Sequence, residues 1–273
     1  MARLEYTFKT DTLFKMLFVQ NPHLLKHLVA TLLDIPLESI GQFVITNPDI
    51  PPDTKGEKFC RLDINMAVNN QRVTLEVQVE NEGNYPERIL YYWARSYSSA
   101  LSEGGAYEDL PRTVIINILD FIQFTESPDF HSEFRPLEVK RGEQLSDKMS
   151  LHFFELQKLP ACELETSNKL QLWLSLFKAD TKEELARIKA LKEPIMEQAI
   201  NAYERITVTP EFQELERLRS RARHNEASAL RHAEQRGEQR EREKWQDVVA
   251  DKDAENEKLR LQVAELQAQI GKK

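Results

Sequence analysis

The stretch RLDINMAVNNQRVTLEVQVE, residues 61–80, constrains the fold more than any other part of the chain. Two runs of alternating apolar residues flank Asn69-Asn70, and a period of two around a two-residue asparagine turn defines a β-hairpin, because Asn tolerates the positive φ of a type I′ loop. With that turn, facing residues sum to 139, so Val68 faces Gln71, Met66 faces Val73, Ile64 faces Leu75 and Leu62 faces Val77. The large apolar side chains then share one face. The opposite face sets Asn65 across from Thr74, Arg61 across from Gln78, and Asp63 across from Glu76. Opposed like charges destabilise a strand pair by a few tenths to about 1 kcal/mol, so something must compensate. Two alternatives follow from the pattern. Arg61 or Arg72 screens the pair in a structural ion cluster, or a divalent cation is held by the two carboxylates.

Elements on either side extend the hairpin into an α/β core of about 160 residues. Residues 11–33 carry Leu13, Phe14, Leu17, Phe18, Leu24, Leu25, Leu28 and Leu32 at helical spacing, with a break at Asn21-Pro22 and Thr10 or Asp11 as N-cap. Residues 47–58 read as a loop. A helix over 86–101 places Ile89, Trp93, Tyr97 and Ala100 on a core side and Arg88, Tyr92, Arg95 and Ser99 on the other. TVIINILDFIQF, residues 113–124, is a strand, followed by a pair over 134–140 and 151–157. Gly104-Gly105 reads as a helix C-cap rather than a phosphate loop. His131 and His152 stand alone, and no His or Cys group has zinc spacing.

Residues 167–207 are helical, and beyond Pro210 aromatic residues nearly vanish. The organisation expected is a core over 1–165, a helical extension over 166–210, and a charged helical tail over 211–273. Alternating steps of four and three along the tail meet Trp245, Val249, Lys252, Asn256, Leu259, Val263, Leu266 and Ile270, a heptad seam that predicts a coiled coil over about 245–270. β-Branched residues at a, Leu at d and one Asn at a favour a parallel homodimer. Arginines from Arg217 to Arg242 precede the seam, but Glu226, Glu234, Glu238, Glu241 and Glu243 interleave and offset a DNA-binding charge.

Net charge is -8, with 23 basic and 31 acidic residues in 1–210 and 14 of each in 211–273, so the acidity lies in the core. That balance opposes wholesale coating of nucleic acid but leaves room for a local basic cleft. Two cysteines, no leader pattern and no run of 18 apolar residues predict a soluble, cytoplasmic protein with no membrane association.

Asp63, a hairpin, then Glu76-Val77-Gln78 resembles the active-site core of the PD-(D/E)XK nuclease superfamily. More closely, the chain resembles the Rpn family of recombination-promoting nucleases, also described as transposases. The matching pieces are DTLFKMLF at Asp11–Phe18, RLDINM around Asp63, LEVQVEN around Glu76, and Arg88 with Tyr92, over residues 5 to about 160. The resemblance implies a restriction-endonuclease-like fold, a mixed central sheet flanked by helices, and a divalent-metal-dependent DNA endonuclease in recombination or mobile-element biology. It implies Mg²⁺, or another divalent cation such as Mn²⁺ or Ca²⁺, held by Asp63, Glu76 and the main-chain carbonyl of Val77. Where the superfamily usually has Lys, this chain has Gln78, which can orient a water but supplies no positive charge; Lys15 is the candidate replacement. Arg88, Tyr92 and Arg95 are candidate DNA contacts, and Asp11 is a helix cap or an accessory acid. The expected partners are DNA and a second copy of the chain, with nucleoid association while on DNA. The alternative is a catalytically weakened DNA-binding or scaffold protein that keeps the fold.

Overall fold

The computed structural model describes residues 2–46, 49–50, 60–61, 63–161 and 163–270. Most of the expected 47–58 loop, Leu62 and Cys162 therefore lie outside the described residues, as do the side chains of Leu266 and Ile270. In chain order the elements of the first compact unit, residues 1–213, begin with helices α1 (Asp11–Gln20) and α2 (Pro22–Leu32). Strands β1 (Phe43–Thr46), β2 (Asp49–Ile50), β3 (Cys60–Arg61), β4 (Ile64–Val68) and β5 (Gln71–Gln78) follow. Then come α3 (Tyr85–Ser98), β6 (Thr113–Leu119), β7 (His131–Phe134), β8 (Met149–Glu155), α4 (Lys169–Lys178), α5 (Lys182–Ala190) and α6 (Pro194–Thr207).

Six strands form an open mixed sheet in the order β1-β4-β5-β6-β8-β7. β1, β4 and β5 are mutually antiparallel, β5, β6 and β8 run parallel, and β7 returns antiparallel along β8. The hairpin register is as the asparagine turn dictates: Val68 pairs with Gln71, Met66 with Val73 and Ile64 with Leu75, and Asn69 and Asn70 have φ of 47° and 62°. Arg61 departs from the expected register. It pairs with Asp49 in a separate two-stranded sheet, so β4 begins only at Ile64 and Arg61 does not face Gln78.

Every residue of β6 is buried, because both faces of the sheet are covered. On one face Val114, Ile116, Ile118, Val73 and Leu75 join α1, α2, α4 and α6 in a single core containing Phe14, Phe18, Trp173 and Phe177. The rings of Phe8 and Tyr203 stack within it at 5.1 Å. Residues 166–210 thus contribute to the same core as the N-terminal helices. On the other face Ile115, Leu119, Leu151 and Phe153 pack under Tyr85 and Ile89 of α3.

Local differences from the sequence reading have simple causes. The 167–207 segment is three helices, broken where Thr181 and Glu184 form a reciprocal capping box and where Pro194 opens α6. β6 ends at Leu119 rather than running to Phe124, and the next residue, Asp120, binds Lys9 at 2.8 Å. Gly104, at φ 77°, lies in a turn beyond α3, whose C-cap is Ser99.

In the second unit, residues 214–273, the chain is helical through Ile270, as part of one helix, α7 (Pro210–Ile270). Trp245, Val249, Leu259 and Val263 of the heptad seam are exposed on it, and Lys252 pairs with Glu255 at 2.7 Å. No helix among the described residues is long and apolar enough to cross a membrane.

Candidate active site

The hairpin turn fixes where the two acids meet. Ile64 opposite Leu75 ends the ladder, and the next position brings Asp63, a bend residue, beside Glu76. The two are cross-braced through the main chain. The Asp63 N–H donates to Glu76 Oε1 at 3.0 Å, and the Val77 N–H donates to Asp63 Oδ2 at 2.8 Å. An extended residue turns its N–H and C=O to the same side, so the Val77 carbonyl faces the same edge as Asp63.

Of the two arginines offered by the sequence pattern, the side chain of Arg61 lies outside the described residues, and Arg72 is not the compensating cation. Arg72 Nη1 donates to the Ser96 carbonyl at 2.6 Å and to Ser99 Oγ at 2.8 Å, which commits it to α3. Instead Lys15, one turn into α1, sets its Nζ 3.5 Å from Asp63 Oδ1 and 3.0 Å from Asp11 Oδ1. Asp11 is the first residue of α1, and the N-cap position belongs to Thr10. Asp11 is thus part of the acid cluster by way of Lys15.

Burial pushes the Glu76 carboxyl well above the ordinary carboxylate range, and the charge of Asp63 adds to it. The Asp63 N–H, Arg88 and Lys15 work in the opposite direction on Glu76. Asp63 is also raised, again first by burial, against the lowering effects of the Val77 N–H and Lys15. Both acids therefore resist simultaneous ionisation, which a cation between them would favour.

The donor set fits a hard divalent cation. Each carboxylate spends one oxygen on a main-chain N–H, and two carboxylates with a carbonyl and waters suit Mg²⁺, which keeps much of its hydration. Among the described residues no group of three or more His, Cys, Asp and Glu forms a ready metal cage.

The remaining expected residues are placed as follows. Gln78, two residues beyond Glu76 on the same strand face, donates from Nε2 to the Glu80 carbonyl at 3.0 Å. Arg88 donates to Glu82 Oε2 at 2.5 Å and lies 4.9 Å from the Tyr85 ring centroid, close enough for its charge to act on Glu76. Tyr92 is half-buried and packs against the α3 core cluster, and Arg95 is half-buried on the same helix.

Sequence reasoning missed Tyr85 and Asn117. Asn117 is the register partner of Glu76 on β6, is fully buried, accepts from the Tyr85 hydroxyl at 2.9 Å and donates to the His152 carbonyl at 2.8 Å. Burial, then the nearby Glu76 charge, raises the Tyr85 hydroxyl well above its ordinary range. The signal was present: one amide inside TVIINIL, an otherwise apolar run apart from its opening threonine, must find partners when buried.

A mixed sheet covered by helices on both faces, with two acids side by side where the central hairpin opens, is the framework of a PD-(D/E)XK-like protein. The sequence profile of a family described as PD-(D/E)XK nuclease family transposase matches residues 8–233. The chain belongs to that family. Comparison with curated proteins and with solved structures gives no significant match.

Proposed function

We propose that the protein is a divalent-metal-dependent DNA endonuclease that hydrolyses phosphodiester bonds in recombination or mobile-element biology, working in the cytoplasm on the nucleoid. The observation that carries this reading is the cross-braced pair Asp63 and Glu76, with Lys15 at 3.5 Å from Asp63. Asp63, Glu76 and the Val77 carbonyl would hold Mg²⁺, Mn²⁺ or Ca²⁺. When bound, such a cation supplies a water of lowered pKa and stabilises charge developing on the phosphate. Lys15, beside Asp63, provides the positive charge that Gln78 lacks, and the Gln78 carboxamide orients a water. Arg88, Tyr92 and Arg95 contribute DNA contacts from α3. The tail pairs two copies through the Trp245–Ile270 seam, where exposed Trp245, Val249, Leu259 and Val263 support a partner helix.

Nicking of supercoiled plasmid with Mg²⁺ or Mn²⁺ tests the assignment: wild type cuts, and Asp63→Ala and Glu76→Ala do not. Equal cutting by both variants overturns the site. A second reading, a weakened nuclease acting as a DNA-binding scaffold, is favoured by the engagement of Gln78 with Glu80. Its outcome is DNA retained in a mobility shift without cleavage by any form.

A further inference from the structure

A second polar cluster lies on the sheet face away from α3, toward the end where β5 and β6 begin. The antiparallel β7–β8 pairing unites residues that are far apart in sequence, setting Glu133 opposite His152 and His131 opposite Phe154. His131 Nε2 lies 3.1 Å from His152 Nδ1, His152 Nε2 lies 2.9 Å from Ser150 Oγ, and Ser150 Oγ lies 2.6 Å from Glu133 Oε1. Arg135 Nε donates to the same Glu133 oxygen at 2.6 Å.

Proton counting orders this chain. Burial lowers the His131 pKa and pushes His152 down to about 4, so both rings are neutral at neutral pH. Burial raises Glu133, but the bonds from Arg135 and Ser150 outweigh it and keep the carboxylate ionised. An ionised Glu133 can only accept, so the single Ser150 proton points to it. His152 must then donate from Nε2 to Ser150, its Nδ1 is a lone pair, and His131 donates from Nε2. Every donor runs toward Glu133, whose charge is consumed by Arg135 and Ser150.

Arg112 is left over. Its guanidinium makes no hydrogen bond or ion pair to any described side chain, and its Nε is closed off from solvent. It lines a cavity of about 320 Å³ together with Gln71, His131, Glu133, Arg135 and His152. The Gln71 amide also has no hydrogen-bond partner among the described residues, whereas Asn69, on the same wall, is committed to Gly41, Gln42 and Ser39. Asp34, the other acid on the wall, is exposed and forms no ion pair with Arg112.

We infer that this cavity is a binding site for a small oxyanion, a phosphate or carboxylate group, anchored by the Arg112 guanidinium with Gln71 as a second donor. A guanidinium presents a planar fork matched to either anion, and a half-buried cation without a partner gains most from acquiring one. The cavity size suits a small ligand. The site is separate from Asp63 and Glu76, which lie on the α3 face near the end of β5. Its occupation has an electrostatic consequence. The Arg112 charge helps to keep His152 unprotonated, so an anion on Arg112 raises the His152 pKa, and by linkage the anion binds more tightly as pH falls. Glu133, Arg135 and His131 face His152 in the same cluster and stay in place throughout.

The test uses the full chain with ¹⁵N-labelled histidine, in EDTA so that no metal occupies the carboxylate pair, titrated separately with inorganic phosphate and with acetate. Expected are saturable shifts of the His131 and His152 resonances with at least one anion and a higher His152 pKa at saturation. Arg112→Gln should weaken binding about tenfold or more. Gln71→Ala, at a half-buried surface position, provides a second variant and should weaken binding without changing the histidine pKa values of the free protein. Response to phosphate alone, acetate alone or both identifies the anion. No saturable response to either, or unchanged affinity in both variants, overturns the inference and leaves the nuclease reading untouched.

Discussion

Replacing Glu76 by Gln should stabilise the metal-free protein while abolishing cleavage. The amide oxygen can still accept from the Asp63 N–H, which Glu76 now binds at 3.0 Å, so the brace survives. Removing one of two opposed charges recovers a few tenths to about 1 kcal/mol. Relief from holding a buried carboxylate ionised adds to this, because the cost of burying an ion reaches several kcal/mol. Against these, the Asp63 N–H bond changes from charge-assisted to neutral, a loss of about 1 kcal/mol, and attraction to Arg88 and Lys15 disappears. The net gain is on the order of 1 kcal/mol, or a rise in Tm of about 2–4 °C for a unit of this size. The sign with pH is fixed by the direction of the shift. The folded pKa of Glu76 is raised, so wild type is penalised where Glu76 ionises and recovers as pH falls through the folded value toward the unfolded one. Scanning calorimetry in EDTA should therefore show the advantage of Glu76→Gln at about pH 8 shrinking toward about pH 5, as Glu76 itself becomes neutral. A variant less stable than wild type by the same amount at both ends would refute the account of a strained carboxylate pair.

The other predictions concern the cation, the missing lysine and the tail. Lys15→Met should lower the plasmid-nicking rate about a hundredfold, as loss of one preorganised electrostatic contact does, and move the acid limb of the pH–rate profile upward, because Lys15 lowers both carboxylates. An unchanged rate and profile would leave Lys15 without a part in the catalytic charge balance. Gln78→Lys should retain or raise cleavage, and its collapse in a folded variant would rule out mere water orientation by Gln78. Truncation after Gln213, which keeps the buried Phe212, should reduce the solution mass by light scattering from dimer to monomer beyond the loss of the tail itself. If the truncated and full chains have the same oligomeric state, the seam is a solvated helix face.

The parts legible in the sequence are those governed by local rules. Asn69-Asn70 imposes its own register on β4 and β5, and Asn21-Pro22 separates α1 from α2, as read directly from the chain. β1 was not legible, because Phe43–Thr46 is a four-residue edge strand with little apolar contrast. The three-helix division of 167–207 was encoded in Thr181…Glu184 and Glu193-Pro194, but Leu, Trp and Phe spacing spoke more loudly than the caps. His131 and His152 read as isolated because only the β7–β8 pairing brings them within 3.1 Å. Arg72 could be placed on the right strand face, yet nothing local reveals that Ser96 and Ser99 would take its guanidinium.

The same distinction explains how two acids can stand side by side without the Arg72 guanidinium between them. In a continued ladder the residue opposite Val77 would be Leu62, whose carbonyl would accept the Val77 N–H. The Asp63 carboxylate takes that proton instead, and Glu76 takes the Asp63 N–H in return. Each charge is thus met by a main-chain dipole supplied beside the other acid, and the hairpin opens at Asp63 while Arg61 leaves to pair with Asp49. A guanidinium bridge would have satisfied the same charges by filling the space between them. Bracing through the backbone commits only one oxygen of each carboxylate to a main-chain N–H, with Lys15 as the one close cation on Asp63 among the described residues. On the proposed nuclease reading, the stability a tighter ion cluster would supply is exchanged for a pair of oxygens that would take a divalent cation.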